Sequence, residues 1–391
     1  MPQKDIILSL PGFTIKNVSG HNPIIIDVHY RNKPRCPACN GRNVRKKASF
    51  IRRVRHEPIG HRQTVLRFKA YKLYCHTCQR YFNQQFPGIN KYQRATERLH
   101  NHLYHRHTEG VSQQSLARDF KMGKATIERW YHQQYVLAHK EIDVRHCPTV
   151  LGIDEHFFSK KQGYATTFCN LRKHKIFDIV KGRSAKDLAS YLDRLPGKDR
   201  VKVVCIDLSS TYRSIVHQYF PNAKIVADRF HVIRLMHHMC MQTYQEIDPK
   251  MKNKRGLLAA LRTNPDNLTS DRLKKRDQYL NEHPATAAIY HFKRRLHRLL
   301  MKKTVFKSRC QRLIPVFLKM VTALKQSPFK RLVTLGKTLY QWREEVVRMW
   351  RFTKNNGITE GFHRKMKLIQ RRAYGFRNFE NYRLRVRVLC S

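Results

Sequence analysis

Acidic residues are scarce in this chain: 27 Asp and Glu stand against 79 Lys and Arg, leaving a formal charge of +52 over 391 residues. The positions of the few acids therefore carry information. Two of them close apolar runs. Asp154 follows Val150-Leu151-Gly152-Ile153, and Asp207 follows Val201-Lys202-Val203-Val204-Cys205-Ile206. A carboxylate at the C-terminal end of an otherwise buried strand points into a cleft beside the core, where it is costly unless protonated, paired or metal-bound. Two such carboxylates on neighbouring strands offer a hard divalent cation the oxygen ligands it prefers. Two ions held about 4 Å apart then clamp the attacking and the leaving oxygen of a phosphodiester. Each aspartate alone has a plainer reading, Asp154 as a turn cap and Asp207 as the cap of a following helix. Their joint occurrence in so basic a chain tips the balance towards phosphoryl chemistry.

A third carboxylate is expected from a helix. In Asn355-Asn356-Gly357-Ile358-Thr359-Glu360-Gly361-Phe362-His363, Asn356 or Thr359 would start the helix and Glu360 would lie in its first turn. On its own Glu360 would be an ordinary N-terminal helix acid. Lys365 and Lys367 follow closely enough to hold phosphates near the metal, and Arg371 and Arg372 extend that basic stretch as further DNA contacts. Asp228, which closes Ile225-Val226-Ala227 ahead of Arg229-Phe230-His231, and Glu155 are rival ligands.

A second chemistry lies near the N-terminus. Cys36-Pro37-Ala38-Cys39 and Cys75-His76-Thr77-Cys78 are two CxxC knuckles. Two residues between cysteines let both sulfurs reach one ion, and two knuckles complete a tetrahedral thiolate site for structural Zn²⁺. The stretch between them is long for a zinc pattern but can hold the strands of a zinc ribbon. The competing readings are redox pairs or coincidence; two redox pairs in a small, strand-poor module are uncommon. His76 is an alternative ligand within its knuckle. A site closed by four thiolates would be structural, holding a basic module (Arg35, Arg42, Arg45, Lys46, Lys47) against DNA.

Between these sites, Gly110 to Trp130 fits a helix-turn-helix. Ser112 can cap a first helix, Ala117 permits a close crossing and Gly123 suits the turn. Ile127 and Trp130 can pack back on Leu116 and Phe120, leaving Lys124, Ala125, Glu128 and Arg129 outward for a major groove. A plain helical linker is the simpler alternative.

These residues need scaffolds. Residues 1–90 mix short strand-like runs with turns, and 95–140 are polar, basic and helical in period. Val150 to Phe158, Tyr164 to Leu171 and Ile176 to Val180 read as a three-stranded meander. Ser184 resembles the N-cap of a helix. Val201 to Asp207 is a buried strand, Thr211 to Tyr219 a helix and Ala223 to Asp228 another strand. From about 231 to 350 the pattern is helical and basic, and a basic-aromatic segment follows.

So large a positive charge requires a polyanion, and cations distributed through every segment favour nucleic acid over an anionic membrane surface. The N-terminus, MPQKDIILSLPGF, lacks the plan of a secretory signal. No stretch approaches the ~20 apolar residues of a membrane helix. A cytoplasmic, nucleoid-associated protein is expected, its ten cysteines ligands or buried thiols in place of disulfides.

Gly152-Ile153-Asp154-Glu155-His156-Phe157, Ile206-Asp207-Leu208-Ser209 with Tyr212, Ala227-Asp228-Arg229-Phe230-His231, and Asn356 to Gly361 running into Lys367 to Phe379 together resemble the catalytic blocks of bacterial insertion-sequence transposases of the ISL-three family. The likeness spans nearly the whole chain, including the CxxC pairs and the helix-turn-helix. It implies an α/β ribonuclease-H-like catalytic domain carrying an Asp-Asp-Glu triad, which falls on Asp154, Asp207 and Glu360. It also implies an all-α insertion before the glutamate helix, matching the strand-free stretch. His363 departs from the asparagine often found at its place in that family. The resulting division is a zinc ribbon at 1–92, a helix-turn-helix at 93–145, the catalytic domain at 146–232 and 350–391, and the helical insertion at 233–349.

The expected activity is binding of the element's terminal inverted repeats, Mg²⁺- or Mn²⁺-dependent strand cleavage, and attack of the freed 3′-hydroxyl on target DNA. Element-end pairing implies a homo-oligomer on DNA. The alternatives are a nuclease on the same fold and a DNA-binding regulator whose catalytic site has decayed.

Overall fold

Alternation along two unusually long strands builds the N-terminal part of the protein. The computed structural model describes residues 8–142, 146–352 and 357–391, without the side chains of 357–360. It divides into two compact units, 1–141 with 371–375, and 142–370 with 376–391.

In the first unit, β1 (Phe13–Ser19), β2 (Ile24–Tyr30), β3 (Val44–Ile59), β4 (Arg62–Cys75) and β5 (Arg80–Asn83) form one sheet in the order β1-β2-β4-β3, with β5 beside the second half of β4. Successive side chains of a strand face opposite sides. Thr64, Leu66, Phe68 and Ala70 of β4 are buried, while Val65, Arg67, Lys69 and Tyr71 between them are not. The buried face joins Leu10, Phe13, Ile26, Val54, Phe86 and Ile89 in a core. Within it the rings of Phe13, Phe68 and Phe86 lie 4.9 to 5.7 Å apart. The expectation of a strand-poor module is corrected here, since β3 and β4 run for 16 and 14 residues. Solvent explains why the pattern hid β3: Arg45 to Ile51 are all exposed, so Lys and Arg occupy both faces and erase the alternation.

Three helices complete this unit: α1 (Glu97–Thr108), α2 (Gln113–Asp119) and α3 (Lys124–Glu141). Ser112 caps α2 as expected, its hydroxyl accepting from the Ser115 amide at 3.1 Å. Leu116, Phe120 and Ile127 are buried between the helices. Trp130 packs against His100 of α1, with ring centroids 4.1 Å apart.

The second unit begins with β6 (Val150–Ser159), β7 (Gly163–Asn170) and β8 (Lys175–Lys181), an antiparallel meander. Then come α4 (Ala185–Arg194), β9 (Val203–Ile206), α5 (Ser210–Tyr219), β10 (Lys224–Ala227) and α6 (Arg229–Ile247). The sheet order is β10-β9-β6-β7-β8, with β9 parallel to β6 and β10 parallel to β9. Strands covered on both faces read as continuous apolar runs, and Val203 to Ile206 is buried throughout. Ser184 caps α4 in a reciprocal capping box with Asp187.

The chain then continues through α7 (Arg255–Arg262), α8 (Ser270–Glu282), α9 (Pro284–Met301), α10 (Lys307–Lys325), α11 (Lys330–Gln341) and α12 (Arg343–Arg351). These helices share a core with the sheet: Met236, Leu296, Phe317, Leu335 and Trp350 belong to the same apolar cluster as Ile153 and Ile206. Both ends of the excursion are tied together. Buried Arg229, opening α6, donates to the carbonyl of Met349 at 2.6 Å and of Lys302 at 3.2 Å.

Last come α13 (Gly357–Arg372) and α14 (Phe379–Leu389). Met366, Ile369, Tyr382 and Val386 pack with Phe158, Ala165 and Ile179 of the meander. Asp178 of β8, 4% exposed, accepts two hydrogen bonds from Arg383, each 2.7 Å, with Arg387 at 3.6 Å. Removing one partner of a buried, hydrogen-bonded ion pair strands the other charge. Asp178→Ala is therefore expected to cost about 3 kcal/mol in urea unfolding. Glu380→Ala, removing a carboxylate that is 70% exposed to the same arginine, should cost under about 0.5 kcal/mol.

Candidate functional site

Strand register brings the first carboxylates together. Gly152 of β6 lies opposite Cys205 of β9 in parallel pairing, so two steps further on Asp154 comes level with Asp207. Ala227 of β10 pairs with Ile206, and the Asp228 amide donates to the Ile206 carbonyl at 2.7 Å, which brings Asp228 level with Asp207 on the other side. Three aspartates thus stand side by side on three adjacent parallel strands, Asp207 and Asp228 just past the ends of β9 and β10 and Asp154 midway along β6, which runs on to Ser159 in place of the strand end expected there.

Their environment is one that carboxylates tolerate poorly alone. Asp154 is 8% exposed and Asp228 2%. Burial drives the Asp154 carboxyl up to about 6, and the charges of Asp228 and Asp207 push the same way, partly offset by His231 and by the Glu155 amide. Asp207 is raised as well, first by burial. Its Oδ1 is buried with no hydrogen-bond partner. Asp228 has a structural task in addition: its Oδ1 accepts the Phe230 amide at 3.1 Å, capping α6. Its other oxygen lies 3.5 Å from His231 Nε2. Buried, mutually repelling oxygens, one without a donor, suit a hard divalent cation, which would relieve both burdens. Among the described residues, the three aspartates are spaced more openly than a ready-made cage, and only the four cysteines bring all their ligand atoms within 4.8 Å.

The helix expected to supply the third acid reaches this row. Glu360 falls in the first turn of α13; its side chain, like Asn356, lies outside the described residues. The helix begins at Gly357, ahead of Thr359. His363, one turn after Glu360, places Nδ1 3.8 Å from Asp154 Oδ2. Its ring centroid is 5.4 Å from that of His156, which hydrogen-bonds Thr167 and Tyr382, each at 3.0 Å. Glu155 turns to Arg183 at 3.2 Å. Lys365 donates to the Leu389 carbonyl and so pins α13 to α14, while Lys367, Arg371 and Arg372 are exposed. His231, His156 and Arg229 sit inside the quoted sequence blocks, yet nothing in the sequence alone gave them a role. The only signal was the Asp228-to-His231 spacing, which puts both on one face of a helix start.

In the first unit the two knuckles converge. Cys36 Sγ lies 3.9 Å from Cys78 Sγ, and Cys39 Sγ 3.7 Å from Cys75 Sγ. Amides of Cys39 and Ala38 hold the Cys36 thiol down to about 6, whereas the sulfurs around Cys78 push it up to about 12, the hydrogen bond to Cys39 foremost. Four sulfurs so close favour ionisation together only around a cation, and four thiolates fit tetrahedral Zn²⁺. His76 packs edge-on against Tyr74, and the cluster is made of the four cysteines. On α3, Lys124, Ala125, Glu128 and Arg129 are exposed, as a groove-reading face requires.

Three family models match in chain order. A zinc-finger of transposases IS204/IS1001/IS1096/IS1165 covers residues 32–78, a helix-turn-helix domain of transposase family ISL3 covers 84–135, and the family's DDE transposase model covers 151–386. The chain belongs to the ISL3 transposase family. Among its curated relatives, the transposase for insertion sequence element IS1001 of Bordetella parapertussis is 27% identical over 365 residues, 90% of this chain and 87% of that one. An ISL3 transposase is a DDE-type enzyme that binds DNA, so the zinc ribbon, the helix-turn-helix and the aspartate row belong to one DNA-processing protein. Among the described residues, no helix is long and apolar enough to cross a membrane.

Two outcomes follow for this transposase. Because folding holds Asp154 near 6 against an ordinary 3.8, its neutral form is favoured in the fold. Stability from this group is full below about pH 4 and is lost as the pH rises through 6. Without divalent ions, Asp154→Asn should therefore raise Tm more at pH 7.5 than at pH 4.5; an equal shift at both would remove the electrostatic account. Elemental analysis should find one zinc per chain, falling well below one in Cys75→Ser.

Proposed function

We propose that Asp154, Asp207 and Glu360 are the catalytic carboxylates of this DNA transposase, and that they hold divalent ions, Mg²⁺ or Mn²⁺, between the middle of β6, the end of β9 and the start of α13. The observation that carries the reading is the side-by-side register of buried Asp154 and Asp207, with His363 of α13 bringing the Glu360 turn towards the same carboxylate. Divalent cations bound there would stabilise the attacking and leaving oxygens of a phosphodiester. The residues of the chain do the rest. Asp154 and Asp207 supply anionic oxygens, and the parallel pairing holds them in place. Asp228 and His231 form an adjoining pair that lines the row and anchors α6. His363 and the neutral His156 fix the distance between the glutamate helix and β6, with Tyr382 as backstop.

The catalytic domain is read as ribonuclease-H-like. Supporting this are the meander β6-β7-β8, the parallel strands β9 and β10 on its far side, and acids abreast on adjacent strands. The proposed parts are a zinc ribbon (1–92), a helix-turn-helix (93–145), the catalytic domain (146–232 with 350–391) and a helical insertion (233–349). The 232/233 boundary falls inside α6, which carries the sheet's last crossover directly into the insertion. Cys36, Cys39, Cys75 and Cys78 hold the structural zinc. Lys124 and Arg129 contact the element's terminal repeats, while Lys367, Arg371 and Arg372 contact DNA near the cleavage site. Lys365 takes a positioning role through Leu389. Pairing of two element ends calls for a homo-oligomer on DNA, and the excess of cations suits a nucleoid-associated protein of the cytoplasm.

Cleavage of a duplex carrying the element end, in Mg²⁺, tests the assignment. Asp154→Asn, Asp207→Asn and Glu360→Gln should each lower the cleavage rate by about three orders of magnitude or more. End binding should stay within about two-fold, a difference under ~0.5 kcal/mol. Cleavage retained by any of the three would remove that residue from the triad.

A further inference from the structure

The sheet of the first unit has a solvent face that neither the zinc cluster nor the helix-turn-helix accounts for. Along β3 and β4, Arg53 lies opposite Arg67, Ile51 opposite Lys69 and Arg55 opposite Val65, all on the side away from the aromatic core. Arg53, Arg67 and Lys69 of this face also line a groove of about 1450 Å³ that reaches round to Phe68 and Phe86, with seven Lys and Arg and a single acid, Asp27, in its lining. A second groove of about 600 Å³ runs from the same strands to the helix-turn-helix, adding Arg55 and Lys121 and ending on Thr126 and Trp130 of α3. Arg53, Arg67 and Arg94 line both, so the two form one continuous basic track.

Partners decide which of these cations are available. Asp27 accepts both a 2.5 Å and a 2.7 Å bond from Arg67, which neutralises it. Arg55 donates to the Phe120 and Lys121 carbonyls, at 2.8 and 3.4 Å, and so locks the helix-turn-helix turn onto β3. Arg94 sits beside it, because residue 95 pairs with Arg55 as a parallel extension of the sheet. Arg53, Lys69 and Arg94 are exposed, and no acid among the described residues pairs with them. Two unneutralised cations on the strand face, Arg53 and Lys69, with Arg94 in the segment leading to α1, abut the turn before α3 and match a duplex backbone beside the stretch whose major groove α3 enters. From residue 49 to 55 this face spans about 20 Å, roughly half a turn of duplex.

We infer that the solvent face of β3 and β4 is a second DNA-binding surface, on which Arg53 and Lys69, with Arg94 beside them, contact phosphates of the duplex flanking the segment read by α3. This rests on the DNA-binding reading above but not on the catalytic one. Arg55 acts as a positioning residue that sets the angle between the track and the recognition helix. Specificity stays with α3, since phosphate contacts place a protein on the duplex without reading its sequence.

The full-length protein, with a mixed-sequence duplex of about 40 base pairs, tests this by fluorescence anisotropy across NaCl concentrations. Each lost phosphate contact lowers the slope of log K against log salt by about 0.9, so Arg53→Ala, Lys69→Ala and Arg94→Ala together should lower it by about 2 to 3. The charge-retaining set Arg53→Lys, Lys69→Arg and Arg94→Lys should keep the wild-type slope. Zinc content and far-UV circular dichroism report folding. Should the triple variant misfold, the three single substitutions carry the test at about 0.9 each. An unchanged duplex slope in folded variants overturns the proposal, as does a loss confined to a single strand of the same sequence. Wild-type protein that fails to bind duplex at all would instead sink the DNA-binding reading. Asp154→Asn should bind with the wild-type slope whatever its cleavage.

Discussion

Burial of carboxylates set abreast on adjacent parallel strands is the constraint around which the larger unit is arranged, and their mutual repulsion adds to it. Backbone pairing of β6, β9 and β10 puts Asp154, Asp207 and Asp228 abreast, and burial removes the water that would screen them. Within β6 the Glu155 amide, donating to Asp154 Oδ1 at 2.8 Å, offsets this in part. Further compensation comes from outside the sheet, from His231 beside Asp228, and a divalent ion would complete it. Such a site is unfavourable when empty and favourable when loaded, the usual bargain of a metal-dependent active centre.

The surrounding architecture holds that arrangement in tension. Asp178 with Arg383 and Arg387, and His156 with Tyr382 and Thr167, fasten α14 to the far side of the meander. Lys365 then fastens α13 to α14. The glutamate helix is thereby held by bonds remote from the acids as well as by His363 beside Asp154. In the first unit a comparable division holds. The aromatic core sets the sheet, the cysteines close its tip, and Arg55 orients the helix-turn-helix on it.

Much of this was legible in the residues. Asp154 and Asp207 stood out because each closes an apolar run, and parallel strands buried on both faces write such runs plainly. The CxxC spacing, the Ser112 and Ser184 caps and the long helical stretch were equally readable, since each depends on near neighbours in sequence. The length of β3 was hidden because solvated residues on both faces of its first half mask the two-residue period, which β4 keeps. Trp130 on His100, Arg229 on Met349 and Lys365 on Leu389 could not be read, because a side chain that bonds a distant backbone carbonyl leaves no mark in the pattern. The convergence of residues 154 and 207 with α13 was expected through resemblance to a family, and local pattern alone would not have required it.

The bond from Arg229 to the Met349 carbonyl has a wider consequence. One guanidinium joins the two ends of a helical excursion of more than a hundred residues, whose inner helices also share the sheet's apolar core. Closing a loop grows dearer only with the logarithm of its length, about 0.6 kcal/mol for each doubling. With its ends clasped in this way, the outer connections of the excursion can lengthen at small entropic cost. Met236, Leu335 and Trp350, packed in the sheet's own core, still hold the oxygen row beneath in place.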